Sequence, residues 1–403
     1  MLRFVPPAGA PLETAQILRA SKAVLLGNGH AEQCLASTAA RLRVRYAFAM
    51  GSGRAALWLI LRALQRLRPD RSTVALPAYT CFTVAASIVR AGLKPYPVEI
   101  DSETLDFDFS DLESLPPDDL LCIVSSNLLG FANDLERIED IAHARGAFVV
   151  DDAAQALGAS RNGRLAGTSG DAGLFSFGRG KPVAAIEGGV VVTNSQEISA
   201  TIQAEASQLP ASSLFHNGWL LLQMLAYRVF LNPRLYWLPN ALPFLKLGVT
   251  EFAPRFPVTG MPAPLTALFP HLLDNLPSLN QIRIANARLI AQGLAGNPRF
   301  KTLKASAESQ PTYLRFPVLA ADEETRERAV TELHKAGIGA TPFYPSAICD
   351  IPGLDRPGTR HCPQAESLAR RLLTLPTHPF VSEQDVSRML EVLAEVAGTS
   401  SRS

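Results

Sequence analysis

The residues of this chain whose types and spacing suit chemistry are two adjacent carboxylates and one lysine. Asp151 and Asp152 end the apolar run FVVDD, and Lys181 follows in the loop SFGRGK. A carboxylate stabilises a nearby cation, and a lysine amine can attack a carbonyl carbon and then carry a proton. Together these residue types suggest a site for a cofactor with an aldehyde and a basic ring nitrogen.

Each of these residues has a more ordinary explanation when it is considered alone. Paired carboxylates after a strand often only cap it, and a lysine in a loop is usually a solvated surface charge. The setting of Lys181 favours a site, because four nearby glycines let the backbone approach a ligand closely: Gly178, Gly180, Gly188 and Gly189. Neighbours on a strand point to opposite faces, so we expect Asp152 to face the ligand and Asp151 to be structural.

The elements that must position these residues alternate between strands and helices. Apolar runs predict strands at 72–80, 93–101, 119–127, 147–155, 173–178 and 188–195. Residues 132–146 predict an amphipathic helix that Asn133 or Asp134 caps. The alternation predicts an α/β fold with a mostly parallel sheet and helices on both faces. Ligands bind beyond the carboxyl ends of such strands, where Asp151 and Asp152 lie.

A further helix is predicted after the turn Gly51-Ser52-Gly53. Apolar residues recur at helical spacing from Leu57 to Leu67, so the helix begins near Ser52 to Arg54. The free amides of a helix N-terminus suit a phosphate, although such a turn is more often only a cap. Combined with the aspartate and the lysine, this turn leads us to predict that Asp152 and Lys181 hold pyridoxal 5'-phosphate (PLP).

Composition and charge argue against several other classes of function. The chain has 403 residues and a net charge of +1, which gives no reason to propose nucleic-acid binding. No signal peptide is expected, because the N-terminal sequence lacks an apolar core. The cysteines have no CxxC spacing, so the sequence indicates neither a disulfide framework nor a metal site and favours a cytoplasmic enzyme; they are Cys34, Cys81, Cys122, Cys349 and Cys362.

The length predicts two domains. We place the large cofactor-binding domain, with an N-terminal arm, at 1–262, and the bridging helix and small α+β domain at 263–403. Residues 205–262 are unusually apolar, and subunit contact is the favoured interpretation, ahead of a substrate lid or of membrane contact through 214–247. The most apolar run, Leu214–Tyr227, is shorter than the roughly 20 residues that cross a membrane.

Seven motifs in order carry a resemblance to a known family. They are SGRAAL, LPAYTCFTVAASIVRAGLKPYPVEID, VVDDAAQALGA, GTSGDAGLFSFGRGK, EGGVVVTN, AGIGATPFYPS and LARRLLTLPTHP. With them, residues 12–397 resemble the DegT/DnrJ/StrS family of fold-type I, PLP-dependent sugar aminotransferases. The resemblance implies a mostly parallel seven-stranded sheet, a smaller C-terminal α+β domain and a homodimer whose active sites use both subunits.

The resemblance also implies a role for each matching residue. Lys181 would bind the aldehyde of PLP covalently, Asp152 would pair with the ring nitrogen, and Gln155 would lie near the ring. The phosphate contacts would be Ser52, Gly53, Arg54 and Ser176.

At three positions the chain departs from the commoner family pattern. Arg54 stands where many members have threonine, and Asn127 stands where many have histidine. Where many members stack an aromatic ring on the cofactor, this chain has Cys81 with Phe82 beside it, and the sequence leaves open which of the two faces the ring.

The implied reaction moves an amino group from an amino acid, L-glutamate by resemblance, to a keto sugar that is linked to a nucleotide. The setting would be polysaccharide, lipopolysaccharide or secondary-metabolite biosynthesis. One alternative is a PLP-dependent sugar dehydratase or lyase, but such relatives have histidine at the position of Lys181. The other is a PLP-binding regulatory protein without catalysis.

Overall fold

The computed structural model describes residues 3–26, 31–115, 118–242, 248, 250–306, 308–354 and 361–399. The α-helices there are α1 (Thr14–Leu26), α2 (Ala31–Leu42), α3 (Gly53–Leu67), α4 (Phe82–Arg90), α5 (Phe109–Glu113), α6 (Leu135–His143), α7 (Gln196–Ala206), α8 (Leu214–Phe230), α9 (Trp237–Asn240), α10 (Ala263–Thr266), α11 (Phe269–Gly293), α12 (Glu323–Lys335), α13 (Pro363–Arg371) and α14 (Glu383–Thr399). The β-strands are β1 (Tyr46–Met50), β2 (Thr73–Pro77), β3 (Lys94–Val98), β4 (Leu120–Ser126), β5 (Phe148–Asp152), β6 (Ser160–Arg161), β7 (Arg164–Leu165), β8 (Ala172–Ser176), β9 (Gly189–Thr193), β10 (Phe300–Thr302), β11 (Ser309–Gln310), β12 (Phe316–Ala320) and β13 (Leu372–Leu375).

A central sheet of seven strands has the order β1-β9-β8-β5-β4-β2-β3. The five strands from β8 to β3 run parallel to one another, and β9 runs antiparallel to both of its neighbours. The predicted α/β fold with a mostly parallel seven-stranded sheet is therefore confirmed.

Both faces of the central strands are covered, which explains their continuous apolar sequence. Ile123 of β4 packs with Ile138 and Ile141 of α6 on one face. Its neighbour Val124 packs on the other face, in the cluster that contains Leu57 of α3. Because successive side chains on a strand alternate, a strand buried on both sides needs apolar residues at every position.

The two predicted helix starts are confirmed by their caps. The Asp134 carboxylate accepts a hydrogen bond from the amide of Arg137 at the start of α6. The Ser52 hydroxyl accepts one from the amide of Ala55, 3.2 Å away, at the start of α3. Each cap satisfies one amide that has no acceptor within its own helix.

A second sheet follows toward the C-terminus, with the order β10-β12-β13. Strand β13 directly follows helix α13 and pairs antiparallel with β12. Val5 pairs with Ile338 beyond α12, so the first described residues contact the C-terminal part of the chain. The domain division at residue 262 stays a prediction. Among the described helices, none combines the length and apolarity that a membrane crossing requires.

Candidate active site

The ends of several elements meet around a cavity of about 480 Å³ at the carboxyl edge of the central sheet. Asp152 ends β5, Ser176 ends β8, and Lys181 lies in the loop that follows β8. Seven of the ten predicted site residues line this cavity: Ser52, Gly53, Arg54, Cys81, Asp152, Ser176 and Lys181. The fold thus brings together residues that lie up to 129 positions apart in the chain.

One wall of the cavity is a tight cup at the start of α3. The amide of Gly188 donates to the carbonyl of Gly51, 3.0 Å away, which holds the turn against β9. A Cβ atom on Gly53 would lie 2.8 Å from the Cβ and Oγ atoms of Ser176, and one on Gly189 would lie 2.6 Å from the Ser52 carbonyl oxygen. Glycine is therefore required at both positions for the cup to close.

The electrostatics of the cup suit an anion. The first amides of a helix point outward without an intrahelical acceptor, and those of α3 belong to Gly53 and Arg54. The Ser176 hydroxyl lies beside Gly53 on the same wall. The guanidinium of Arg54 lies 5.1 Å from the ring centroid of Phe256, so this cation also packs against the segment between α9 and α10.

Asp152 is buried at the cavity wall. Its Oδ1 atom accepts a hydrogen bond from the amide of Ala154 at 2.9 Å, which fixes the carboxylate at the end of β5. Burial raises the pKa of Asp152, while the Ala154 amide and the positive charge of Lys181 lower it. A cation brought against this carboxylate would favour its ionised form further.

Asp151 points away from the cavity, as predicted. Its Oδ1 atom accepts from the side-chain amide of Asn127 at 2.7 Å, and its Oδ2 atom accepts from the amide of Gly167 at 2.6 Å. Burial raises the pKa of Asp151 to about 7, and these hydrogen bonds lower it. The carboxylate therefore ties β5 to the loop before β8.

Three predicted site residues lie outside the cavity lining. Phe82 is buried and stacks on Tyr344, with ring centroids 6.4 Å apart. The side-chain amide of Gln155 donates to the Tyr344 hydroxyl at 2.7 Å and accepts from the amide of Leu129. Asn127 bonds Asp151, as described above. Of the pair left open by the sequence, Cys81 faces the cavity and Phe82 faces the interior.

The loop that carries Lys181 is held from behind by a buried arginine. Arg283 of α11 donates from Nη2 to the carbonyl of Pro182 at 2.6 Å and from Nη1 to Asn280 at 2.7 Å. Burial lowers the pKa of Arg283 to about 10. Arg179, which lies in the same loop as Lys181, donates from its guanidinium to Gln223.

The cavity lining also includes residues that were not predicted as site residues, among them Glu187, Thr250, Glu251 and Ala253. Glu187 directly precedes the pair Gly188-Gly189, and its position beside these glycines could have identified it as a site residue. Its Oε1 atom lies 2.6 Å from Nε2 of His216 in the first turn of α8. The other three belong to a stretch without periodic apolar residues, so only the fold could place them here.

Comparison with known proteins identifies the group to which this architecture belongs. The model of the DegT/DnrJ/EryC1/StrS aminotransferase family matches residues 12–212 and 261–394. The chain belongs to this family. The resemblance inferred from the motifs is thereby confirmed, and so are the predictions of an aminotransferase and of PLP as its cofactor. Residues 213–260, which include α8, lie between the two matched stretches.

Known relatives align with most of the length of this chain. A "pleiotropic regulatory protein" of Geobacillus stearothermophilus is 26% identical over 94% of this chain and 92% of its own. A UDP-N-acetyl-3-dehydro-alpha-D-glucosamine 3-aminotransferase of Acidithiobacillus ferrooxidans is 28% identical over 87% of this chain and 84% of its own. In fold, the chain is similar to Helicobacter pylori PseC, an aminotransferase involved in the biosynthesis of pseudoaminic acid. That structure has a TM-score of 0.80 and 19% identity, with coverage of 98% and 100%.

Proposed function

We propose that this family member transfers an amino group from L-glutamate to a keto sugar that is linked to a nucleotide. The observation that carries the proposal is the single cavity lined by Asp152, Lys181 and the cup at Ser52–Arg54. The 28%-identical relative that aminates a UDP-linked keto sugar supports the substrate class. Such a product would enter polysaccharide, lipopolysaccharide or secondary-metabolite biosynthesis.

The residues present fit PLP. The cup that a Gly53 side chain would fill, with two helix amides and the Ser176 hydroxyl, suits the phosphate. The buried carboxylate of Asp152 suits the protonated ring nitrogen. When bound, PLP supplies an electron-withdrawing ring for the carbon that loses or gains the amine.

Lys181 provides the amine that holds the cofactor and moves protons. Its Nζ atom must be neutral to attack a carbonyl, and must then take a proton from one carbon and return it to another. The guanidinium of Arg283 donates to the carbonyl of Pro182, the residue that follows Lys181 in the loop. Arg283 also fixes the loop, so it acts as a positioning residue.

The acceptor sugar would occupy the part of the cavity away from Asp152. Glu187, Thr250 and Glu251 line the cavity and offer hydroxyl and carboxylate groups for a polyhydroxylated ring. The segment with Thr250 and Glu251 lies between the two stretches that the family matches. This supports a role for it in recognising a substrate particular to this chain.

We also propose that the enzyme is a cytoplasmic homodimer whose active sites use both subunits. The family resemblance supports the dimer, and the lack of a disulfide pattern in the sequence supports the compartment. Sedimentation velocity of the purified protein would reveal the dimer, whereas a monomer that is fully active at nanomolar concentration would contradict shared sites.

The decisive experiment follows the colour of purified protein loaded with PLP. We expect a yellow absorbance that bleaches when glutamate is added and returns when a keto-sugar nucleotide from a panel is supplied. Lys181→Ala should lose this cycle, while Lys304→Ala, at an exposed lysine, should retain it. Colour that glutamate does not bleach would favour the non-catalytic regulatory alternative. Bleaching without conversion of any sugar nucleotide would refute the acceptor class alone.

A further inference from the structure

Helix α8 presents an unusually apolar surface to solvent. Its inner side packs into the core through Leu220 and Met224. Its outer side carries five large apolar residues spaced three or four positions apart, which places them on one stripe of the helix. We call this stripe the α8 face; its residues, with their exposed fractions, are Phe215 (85%), Trp219 (51%), Leu222 (54%), Leu225 (49%) and Val229 (49%).

The apolar exposure is concentrated in this part of the molecule. Of the fifteen exposed large hydrophobic residues in the described chain, eleven lie between residues 214 and 242. Beyond α8 they include Leu235, Trp237, Leu238 and Leu242. Single exposed leucines are ordinary on a protein surface, but a cluster of this kind marks a surface that binds something.

The charges of the same segment indicate what that partner is. Residues 206–250 contain no aspartate or glutamate but do contain three cations, Arg228, Arg234 and Lys246. Arg234 is exposed and forms no ion pair within the described residues, whereas the guanidinium of Arg228 donates to the Leu12 carbonyl. Exposed leucine, phenylalanine and tryptophan with arginine and without acids are typical of helices that lie on anionic lipid headgroups.

A second copy of the chain is a poorer match for this face. Two copies related by a twofold axis would bring the same patch of each together. The patch would then meet itself, so Arg234 would find no acid within residues 206–250 of the other copy to pair with. The face also lies within 213–260, outside the stretches that the chain shares with its family.

We propose that the α8 face docks this protein onto the surface of an anionic phospholipid bilayer. At 17 residues and 1.5 Å per residue, α8 is roughly 25 Å long and lies in the plane of the interface without crossing it. The contact between His216 and Glu187 joins the first turn of α8 to the cavity wall. Docking therefore places the active-site cavity next to the headgroups. The sequence alone favoured subunit contact; exposure and charge together favour lipid.

The test is binding of the full-length protein to vesicles of phosphatidylcholine with and without phosphatidylglycerol. We expect cosedimentation with the anionic vesicles and a blue shift in the emission of Trp219 and Trp237, measured with Trp58→Phe as background. The double variant Leu222→Glu/Leu225→Glu should bind the anionic vesicles at least about tenfold more weakly. The control is Leu289→Glu, at an exposed leucine on α11, which should bind as the unaltered protein does.

Three results would overturn the proposal: no binding to anionic vesicles, equal binding to vesicles without phosphatidylglycerol, or equal loss in the Leu289→Glu control. If the double variant instead turned a dimer into monomers and no vesicle binding were seen, the face would be a subunit contact. The glutamate-dependent bleaching of the bound cofactor needs no lipid. It should be unchanged in the Leu222→Glu/Leu225→Glu variant, so failure of lipid docking and failure of the proposed chemistry are distinguishable.

Discussion

Replacing Gly53 with alanine tests the phosphate cup most directly. Gly53 is the first residue of α3, a position where alanine is otherwise favourable for a helix. We therefore expect the variant to fold. We expect its defect to be confined to cofactor binding, because the added methyl group would point at Ser176 across the cup.

The size of the effect follows from the geometry. The new Cβ atom would lie 2.8 Å from both Cβ and Oγ of Ser176. Carbon atoms in contact prefer about 3.5 to 4.0 Å, so Ser176 would have to move by roughly 0.7 Å or more. A hydrogen bond to a charged group contributes about 1.5 to 3 kcal/mol. Losing that of the Ser176 hydroxyl to the phosphate should weaken PLP binding roughly 10- to 150-fold.

The assay is a titration of the cofactor-free protein with PLP, followed by absorbance, and a parallel titration with pyridoxal, which lacks the phosphate. Gly53→Ala should weaken binding of PLP and leave that of pyridoxal nearly unchanged. The control is Gly218→Ala in α8, where a Cβ atom would meet nothing within 4 Å. Equal PLP affinity for Gly53→Ala and the unaltered protein would refute the assignment of the cup to the phosphate.

Three further substitutions test other parts of the site and the fold. Asp152→Asn keeps the shape of the side chain and removes its charge, so turnover should fall on the order of a hundredfold. Arg283→Gln loses the hydrogen bond to Pro182 beside Lys181, so turnover should fall about tenfold while the protein still binds PLP. His378 is buried, which lowers its pKa to about 4. Because the unfolded chain takes up a proton near pH 6.5, the free energy of unfolding should fall by up to about 3 kcal/mol as the pH drops from 6.5 to 4, and His378→Gln should reduce this slope.

Each of these has a distinct contrary outcome. Full turnover in Asp152→Asn would show that the ring nitrogen needs no charged partner. If Arg283→Gln lost turnover only by losing all bound PLP, Arg283 would hold the cofactor site and would not position the lysine. Urea unfolding at pH 7 and pH 4.5 measures the third effect, and an unchanged pH slope in His378→Gln would assign the acid sensitivity to other groups.

Much of the fold was predictable because its signals are local. The apolar run at Leu120–Ser126 and the capped helix at Leu135–His143 each depend on residues within a few positions of one another. The strand Leu372–Leu375 has no such local signal. Its four residues continue a helical pattern, and only pairing with Phe316–Ala320 makes them extended.

The candidate site likewise contains residues that the sequence could predict and residues that it could not. Asp152, Lys181 and the turn at Ser52–Arg54 could be found from residue type, glycine content and the ends of strands. The sequence could not separate Cys81 from Phe82, because adjacent residues at a helix start differ only in which side they turn to the cavity. Thr250 and Glu251 could not be predicted as site residues, because they lie in a stretch without periodic apolar residues.

By itself, the sequence determined the α/β alternation, the family and the residue types that we propose bind PLP, since these follow from local patterns and from motifs in a fixed order. Only the tertiary structure decided that Arg283, 102 positions after Lys181, supports the lysine's loop. It also decided that α8 keeps one apolar side in the core and exposes the other. An apolar helix has the same sequence pattern whether its second side is covered or open, and only the packing of the whole chain shows which side is left for a partner.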